Sequence, residues 1–139
     1  MQIYLLFAGK PRDAHANAMA AEYVKRSARF APCEMREIQP ARYDPWVRHP
    51  SGAKVLLDPA GKKMDSHQFA KMLETYHAQS RDLVFIVGGA EGHPAGWRDR
   101  ADLLLSLSPM TYAHELARVM LAEQIYRAWT ILRGHPYSK

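Results

Sequence analysis

Val87-Gly88-Gly89-Ala90-Glu91-Gly92, followed by Leu105-Ser106-Leu107-Ser108-Pro109-Met110-Thr111 and then His114-Glu115-Leu116-Ala117-Arg118, is the stretch whose reading decides the fold. It sets two bends of exposed backbone between apolar, strand-like runs and a long helix. Consecutive glycines after a β-type run let the main chain approach a ligand closely, and a polar turn opening a helix presents N–H groups that lack intrahelical partners. Together the two bends outline a pocket.

The segments around them alternate in type. Ile3–Ala8 is a continuous apolar run closed by Gly9-Lys10-Pro11, and Leu83–Val87 is another; both suit strands buried on two faces of a parallel sheet. Residues 34–38 form a short strand. Val55-Leu56-Leu57-Asp58 forms a further central one, expected to stop at Pro59 and Gly61, and residues 103–107 another. Between them lie helices over 13–29, over a segment capped by Asp65 or Ser66 with a Phe69, Met72, Leu73, Tyr76 stripe, and over about 95–102. Residues 39–53, with three prolines, read as a loop carrying a helical turn near 43–47. The last helix, 111–132, has two apolar stripes. Leu116, Val119 and Met120 make one, and Leu121, Ile125, Ala128, Trp129 and Leu132 the other, so the helix needs cover on two sides: the sheet, and a second copy of the chain. The pattern is α/β, with a mostly parallel sheet, helices on both faces and ligands beyond the carboxyl ends of the strands.

The 139 residues, 47% hydrophobic, fit one domain over 1–139. Nineteen Lys and Arg against fourteen Asp and Glu give a net charge of +5, which favours polyanionic partners. Cys33 alone excludes an intrachain disulfide and suits a reducing compartment. The apolar start is short and lacks a basic lead, so it suits a buried strand better than a signal peptide, and no stretch approaches the roughly 20 apolar residues that span a bilayer. The expectation is a cytoplasmic protein without membrane attachment.

Several familiar motifs are missing. Gly9-Lys10 is followed by Pro11-Arg12 rather than the Ser or Thr of a phosphate loop, and Gly88, Gly89 and Gly92 do not have dinucleotide-binding spacing. His114-Glu115 starts like a zinc-protease helix, but Arg118 stands where the second His is needed; the seven histidines are scattered, and no metal is expected. Ser106 and Ser108 lack a nucleophile-elbow sequence. Ser108 or Thr111 is expected to cap the last helix, with Pro109 in its first turn. His114 and Arg118, four apart, share a face near the positive end of that helix, where an anion is welcome. Arg127 lies about half a turn away from Arg118 at about 100° per residue, and four after Glu123, which predicts a salt bridge. In the tail, Arg133-Gly134-His135-Pro136-Tyr137-Ser138-Lys139 combines cations with a ring, a set able to hold a nucleobase and its phosphate, although a chain end is disordered by default.

These segments, with Leu57-Asp58-Pro59-Ala60-Gly61-Lys62, Glu123-Gln124-Ile125-Tyr126-Arg127-Ala128-Trp129 and His135-Pro136-Tyr137, resemble the small SPOUT-class methyltransferases of the RlmH type along essentially the whole chain. That family methylates N3 of a pseudouridine in helix 69 of bacterial 23S ribosomal RNA. The resemblance implies a trefoil knot in the last third, a homodimer with sites at the subunit interface, and the ribosome rather than DNA as partner. It implies an S-adenosylmethionine pocket formed by Leu57, Gly89 and the turn Leu107, Ser108, Pro109, Met110, Thr111 and Tyr112. Methylating an imide nitrogen requires loss of its proton, so His114 is assigned as base or orienting group and Arg118 as stabiliser of the developing anion. Tyr137 is placed with His114 and Arg118 among the catalytic residues and, with Arg127 and Lys139, is assigned to RNA capture across the dimer. Two positions depart from the family pattern: Ser138 stands where the tail usually has His, and Ala113 replaces the usual Pro before His114. The competing readings are a non-catalytic ribosome-associated protein that keeps the fold, and a SPOUT enzyme acting on another RNA nucleoside.

Overall fold

The computed structural model describes residues 1–138. Five strands, β1 (Ile3–Ala8), β2 (Cys33–Ile38), β3 (Ala53–Lys63), β4 (Leu83–Val87) and β5 (Leu103–Ser106), form one sheet in the order β2-β1-β4-β3-β5. All its pairings are parallel. Alternate strand residues face opposite ways, so the apolar runs bury both faces. Ile3, Leu5, Phe7, Val55, Phe85 and Leu105 meet α1 (Ala14–Ser27), α3 (Ser66–Ala78) and α5 (His114–Arg133). On the other side Leu6, Leu56, Val84 and Ile86 lie under Tyr43 and Trp97, which flank or belong to the short α2 (Pro45–Arg48) and α4 (Trp97–Arg100).

Local chemistry sets the helix starts. The Asp13 carboxylate accepts from Ala16 N–H at 3.0 Å, and Asp65 forms a reciprocal capping box with Gln68. The last helix differs from expectation. Neither Ser108 nor Thr111 caps it, and Pro109 is not in its first turn: the Ser108 hydroxyl accepts from Met110 N–H at 3.1 Å, folding a local turn, and α5 starts after Ala113 with no side-chain cap. Its first N–H groups remain open. The fourth helix is also shorter than the expected 95–102. Gly96, at φ +86°, precedes it, and Asp102 is drawn into the sheet by two bonds with Lys54: the Lys54 N–H donates to the Asp102 carboxylate at 2.7 Å and the Asp102 N–H to the Lys54 carbonyl at 2.9 Å.

The third strand does not stop at Pro59. Leu57 pairs with Leu105, the chain makes an excursion over residues 58–61, and Lys62 returns to pair with Leu105 again. Ala60 N–H donates to the Asp58 carboxylate at 2.8 Å and the Ser106 hydroxyl to the Pro59 carbonyl at 3.0 Å, so the excursion is tied both to itself and to β5. Pro59 cannot donate to a ladder, which is why pairing lapses there, yet close contact with β5 restores it at Lys62, the residue after Gly61. The described residues include no helix long and apolar enough to cross a membrane.

Candidate functional site

The carboxyl ends of β3, β4 and β5 open onto a cavity of about 530 Å³, a size ordinary for small-molecule sites. Three loops build it. The excursion after β3 contributes Leu57, Asp58 and Pro59; the glycine loop contributes residues 87–90, Gly92 and His93; and the turn after β5 contributes Leu107, Ser108, Met110, Thr111 and Tyr112, running into Ala113 and His114. Of the eight residues expected to hold a cofactor, Leu57, Gly89, Leu107, Ser108, Met110, Thr111 and Tyr112 line this space, and Pro109 sits in the same turn without lining it. Backbone compaction at the glycines makes the room. A Cβ at Gly88 would stand 3.1 Å from the Gly92 carbonyl carbon, and one at Gly89 would stand 3.3 Å from the Ala8 carbonyl oxygen.

His114 lines the cavity at the uncapped start of α5, with its Nε2 3.6 Å from where a Gly9 Cβ would be. The loop after β1 therefore backs the imidazole. Its neighbour Glu115 fastens that loop. One Glu115 oxygen accepts from Arg12 N–H at 2.6 Å, Asn17 Nδ2 at 2.9 Å and Asp13 N–H at 3.1 Å, and these bonds, led by that to Arg12, hold the carboxyl at about 2 instead of the usual 4.5. A carboxyl lowered by folding adds stability above its unfolded pKa and loses it as pH falls through the folded value. Glu115→Gln is accordingly expected to flatten the stability curve between pH 4.5 and about 2, leaving its slope near neutrality unchanged, as read by denaturant unfolding at stepped pH.

Arg118 is not where its spacing from His114 suggested. It is completely buried, its guanidinium carbon 3.6 Å from the Phe7 ring centroid, with Nη1 donating to Asn17 Oδ1 at 2.5 Å and standing 4.0 Å from Glu115. Burial lowers its pKa. It does not line the cavity, and its guanidinium lies behind the loop after β1.

Arg127 and Tyr137 lie elsewhere on the protomer. Glu123 takes Arg127 through Nη2 at 2.7 Å and Nε at 3.1 Å, as the spacing of four predicted, and accepts the Tyr137 hydroxyl at 2.7 Å. Tyr137 packs edge-on against Tyr126 with centroids 4.7 Å apart, and desolvation pushes its phenol well above the usual 10. The tail is thus folded back on α5. This cluster borders a second hollow of about 480 Å³ between α1, α3 and α5, lined in part by Tyr23, Glu123 and Leu107, which also lines the first cavity. Lys139, assigned with them, lies outside the described residues. Among the described residues no three His, Cys, Asp or Glu side chains are grouped to hold a metal.

The residues missed by sequence reasoning are Asp58, His93 and Arg98 in the cavity and Asn17 behind it. Asp58 reads as the last residue of an apolar strand, and nothing in its spacing from His93 and Arg98 signals a shared wall.

A family model described as Predicted SPOUT methyltransferase matches residues 1–138. The chain is 59% identical over its full length to the Ribosomal RNA large subunit methyltransferase H of Solibacter usitatus, covering 100% of that protein. It is 37% identical, again over all its residues and 99% of the relative, to the protein of the same name from Thermus thermophilus. Among solved structures it resembles a probable methylase family protein from Haemophilus influenzae, at TM-score 0.61 and 8% identity over 99% of this chain and 70% of that one. A putative methyltransferase from Legionella pneumophila in complex with bound cofactor SAM matches at TM-score 0.56 and 17% identity, over 92% of this chain and 66% of the other. With the cavity placed at the strand ends and the whole chain matched, this protein belongs to the SPOUT methyltransferase family, in the group of ribosomal RNA large subunit methyltransferase H.

Proposed function

We propose that this protein methylates N3 of a pseudouridine in helix 69 of 23S ribosomal RNA, using S-adenosylmethionine, as a cytoplasmic homodimer acting on the assembled ribosome. The carrying observation is the cavity itself, which gathers seven residues expected to hold the methyl donor from three separate loops. Its chemistry fits that molecule: main-chain groups of the turn 107–112 can hydrogen-bond adenine, and Leu57 and Met110 supply apolar walls. Bound there, the donor presents a methyl group on a sulfonium to an in-line nucleophile.

The protein's task is alignment and proton removal. His114, on the cavity wall and backed by the Gly9 loop, takes or orients the N3 proton. Arg118 holds Asn17, and Glu115 fastens the loop that backs His114, so the ring stays in register with the cavity. In this reading Arg127, Tyr137 and Lys139 of one subunit grip RNA at the other's cavity, since Arg127 and Tyr137 do not line their own. The second subunit is supported by an apolar surface on α1 and α5, where Met19, Leu116 and Met120 are exposed. The reading includes a trefoil knot in the last third of the chain.

Purified protein incubated with S-adenosylmethionine and ribosomes from a strain lacking this activity is expected to restore one methylpseudouridine in helix 69, seen by mass spectrometry of nuclease fragments. Methylation of another nucleoside, or donor binding with no methylation of any ribosomal particle, refutes the reading.

A further inference from the structure

One end of the cavity carries charges that neither the family pattern nor the methyl transfer uses. Asp58 and Arg98 both line it, the carboxylate on the excursion after β3 and the guanidinium on α4. Arg98 Nε lies 2.7 Å from Asp58 Oδ2, with the acid side chain only 14% exposed and the arginine 56%. The other Asp58 oxygen accepts from Ala60 N–H at 2.8 Å, which fixes the carboxylate on its turn. No hydrogen bond joins the Arg98 side chain to another described residue, so its fork of N–H donors remains available. His93 stands at the same end, its Nε2 2.7 Å from the Leu57 carbonyl. A carbonyl only accepts, so Nε2 carries a proton, while Nδ1 is buried and without a partner among the described residues.

This end therefore offers a planar donor fork beside a fixed carboxylate acceptor. A single anion or cation would leave half of that set unused. A zwitterion uses both, with its carboxylate on the guanidinium fork and its ammonium toward the acid. We propose that Asp58 and Arg98 clamp the α-amino-acid end of the methyl donor, directing its adenosine end to the backbone turn at 107–112. The clamp rests on the cofactor reading given above. It also explains why a half-exposed ion pair, worth little to stability in itself, faces a mostly apolar cavity.

The test is titration calorimetry of the intact protein with two probes: S-adenosylhomocysteine, which has the amino-acid end, and 5′-methylthioadenosine, which lacks it. Arg98→Ala and Asp58→Asn are each expected to weaken S-adenosylhomocysteine binding by about tenfold, the equivalent of one charge-assisted hydrogen bond, and to leave 5′-methylthioadenosine unchanged. Unchanged binding of the second probe also reports an intact cavity in each variant. Equal loss for both probes, or no loss for either, overturns the clamp while the cofactor reading stands. A wild-type protein that binds neither probe overturns both.

Discussion

Single-turnover methylation by a His114→Ala variant is expected to fall by a factor of about 10² to 10⁴, the range that a positioned acid or base contributes. The expectation comes from position. His114 is the first residue of α5, it lines the cavity, and the Gly9 loop stands directly behind its Nε2. The loop is pinned by Glu115, whose bonds go to Arg12, Asp13 and Asn17 and not to the imidazole, so alanine at 114 leaves the scaffold in place. Donor binding by calorimetry and ribosome binding by sedimentation should therefore stay within a fewfold of wild type. Full activity in that variant would move the proton-handling role to a group outside this helix start.

Gly61→Ala is expected to cost on the order of 3 kcal/mol, at the upper end for overpacking. A Cβ there would stand 2.6 Å from both the carbonyl carbon and oxygen of Leu104 and 2.9 Å from Leu105 N. These are backbone atoms of a paired strand, which cannot swing aside as the tip of a side chain can. Relief requires the excursion over 58–61 to lift away from β5, breaking the bond from the Ser106 hydroxyl to the Pro59 carbonyl and shifting Asp58 and Pro59 in the cavity wall. Urea unfolding should show a lower midpoint, and calorimetry weaker donor binding. A variant with unchanged midpoint would mean that the two segments do not touch as described.

What could be read without coordinates was local. Continuous apolar runs announced β1 and β4, the helical pattern over 13–29 announced α1, a cap at Asp65 or Ser66 announced α3, and the four-residue spacing from Glu123 announced the Arg127 pair. The two bends that line the cavity were also legible, because glycines after a strand and a polar turn before a helix leave backbone open to approach. Reading failed where a distant segment decided the outcome. Arg118 has the spacing of an exposed cation, but Phe7 and Asn17, the latter 101 positions away in the chain, receive its guanidinium in the interior. Pro59 and Gly61 look like a strand terminator until β5 is laid beside them. Ser108 has the chemistry of a helix cap but spends its hydroxyl on Met110, two residues along.

The three walls of the cavity come from residues 57–59, 87–93 with Arg98, and 107–117, so the last is made well after the first. During vectorial synthesis the amino-terminal half can collapse early, but it holds no part of a donor-binding chamber except one rim. Competence is thus acquired only once α5 has emerged, and a fragment interrupted anywhere before α5 is an inert remnant instead of a weakened enzyme.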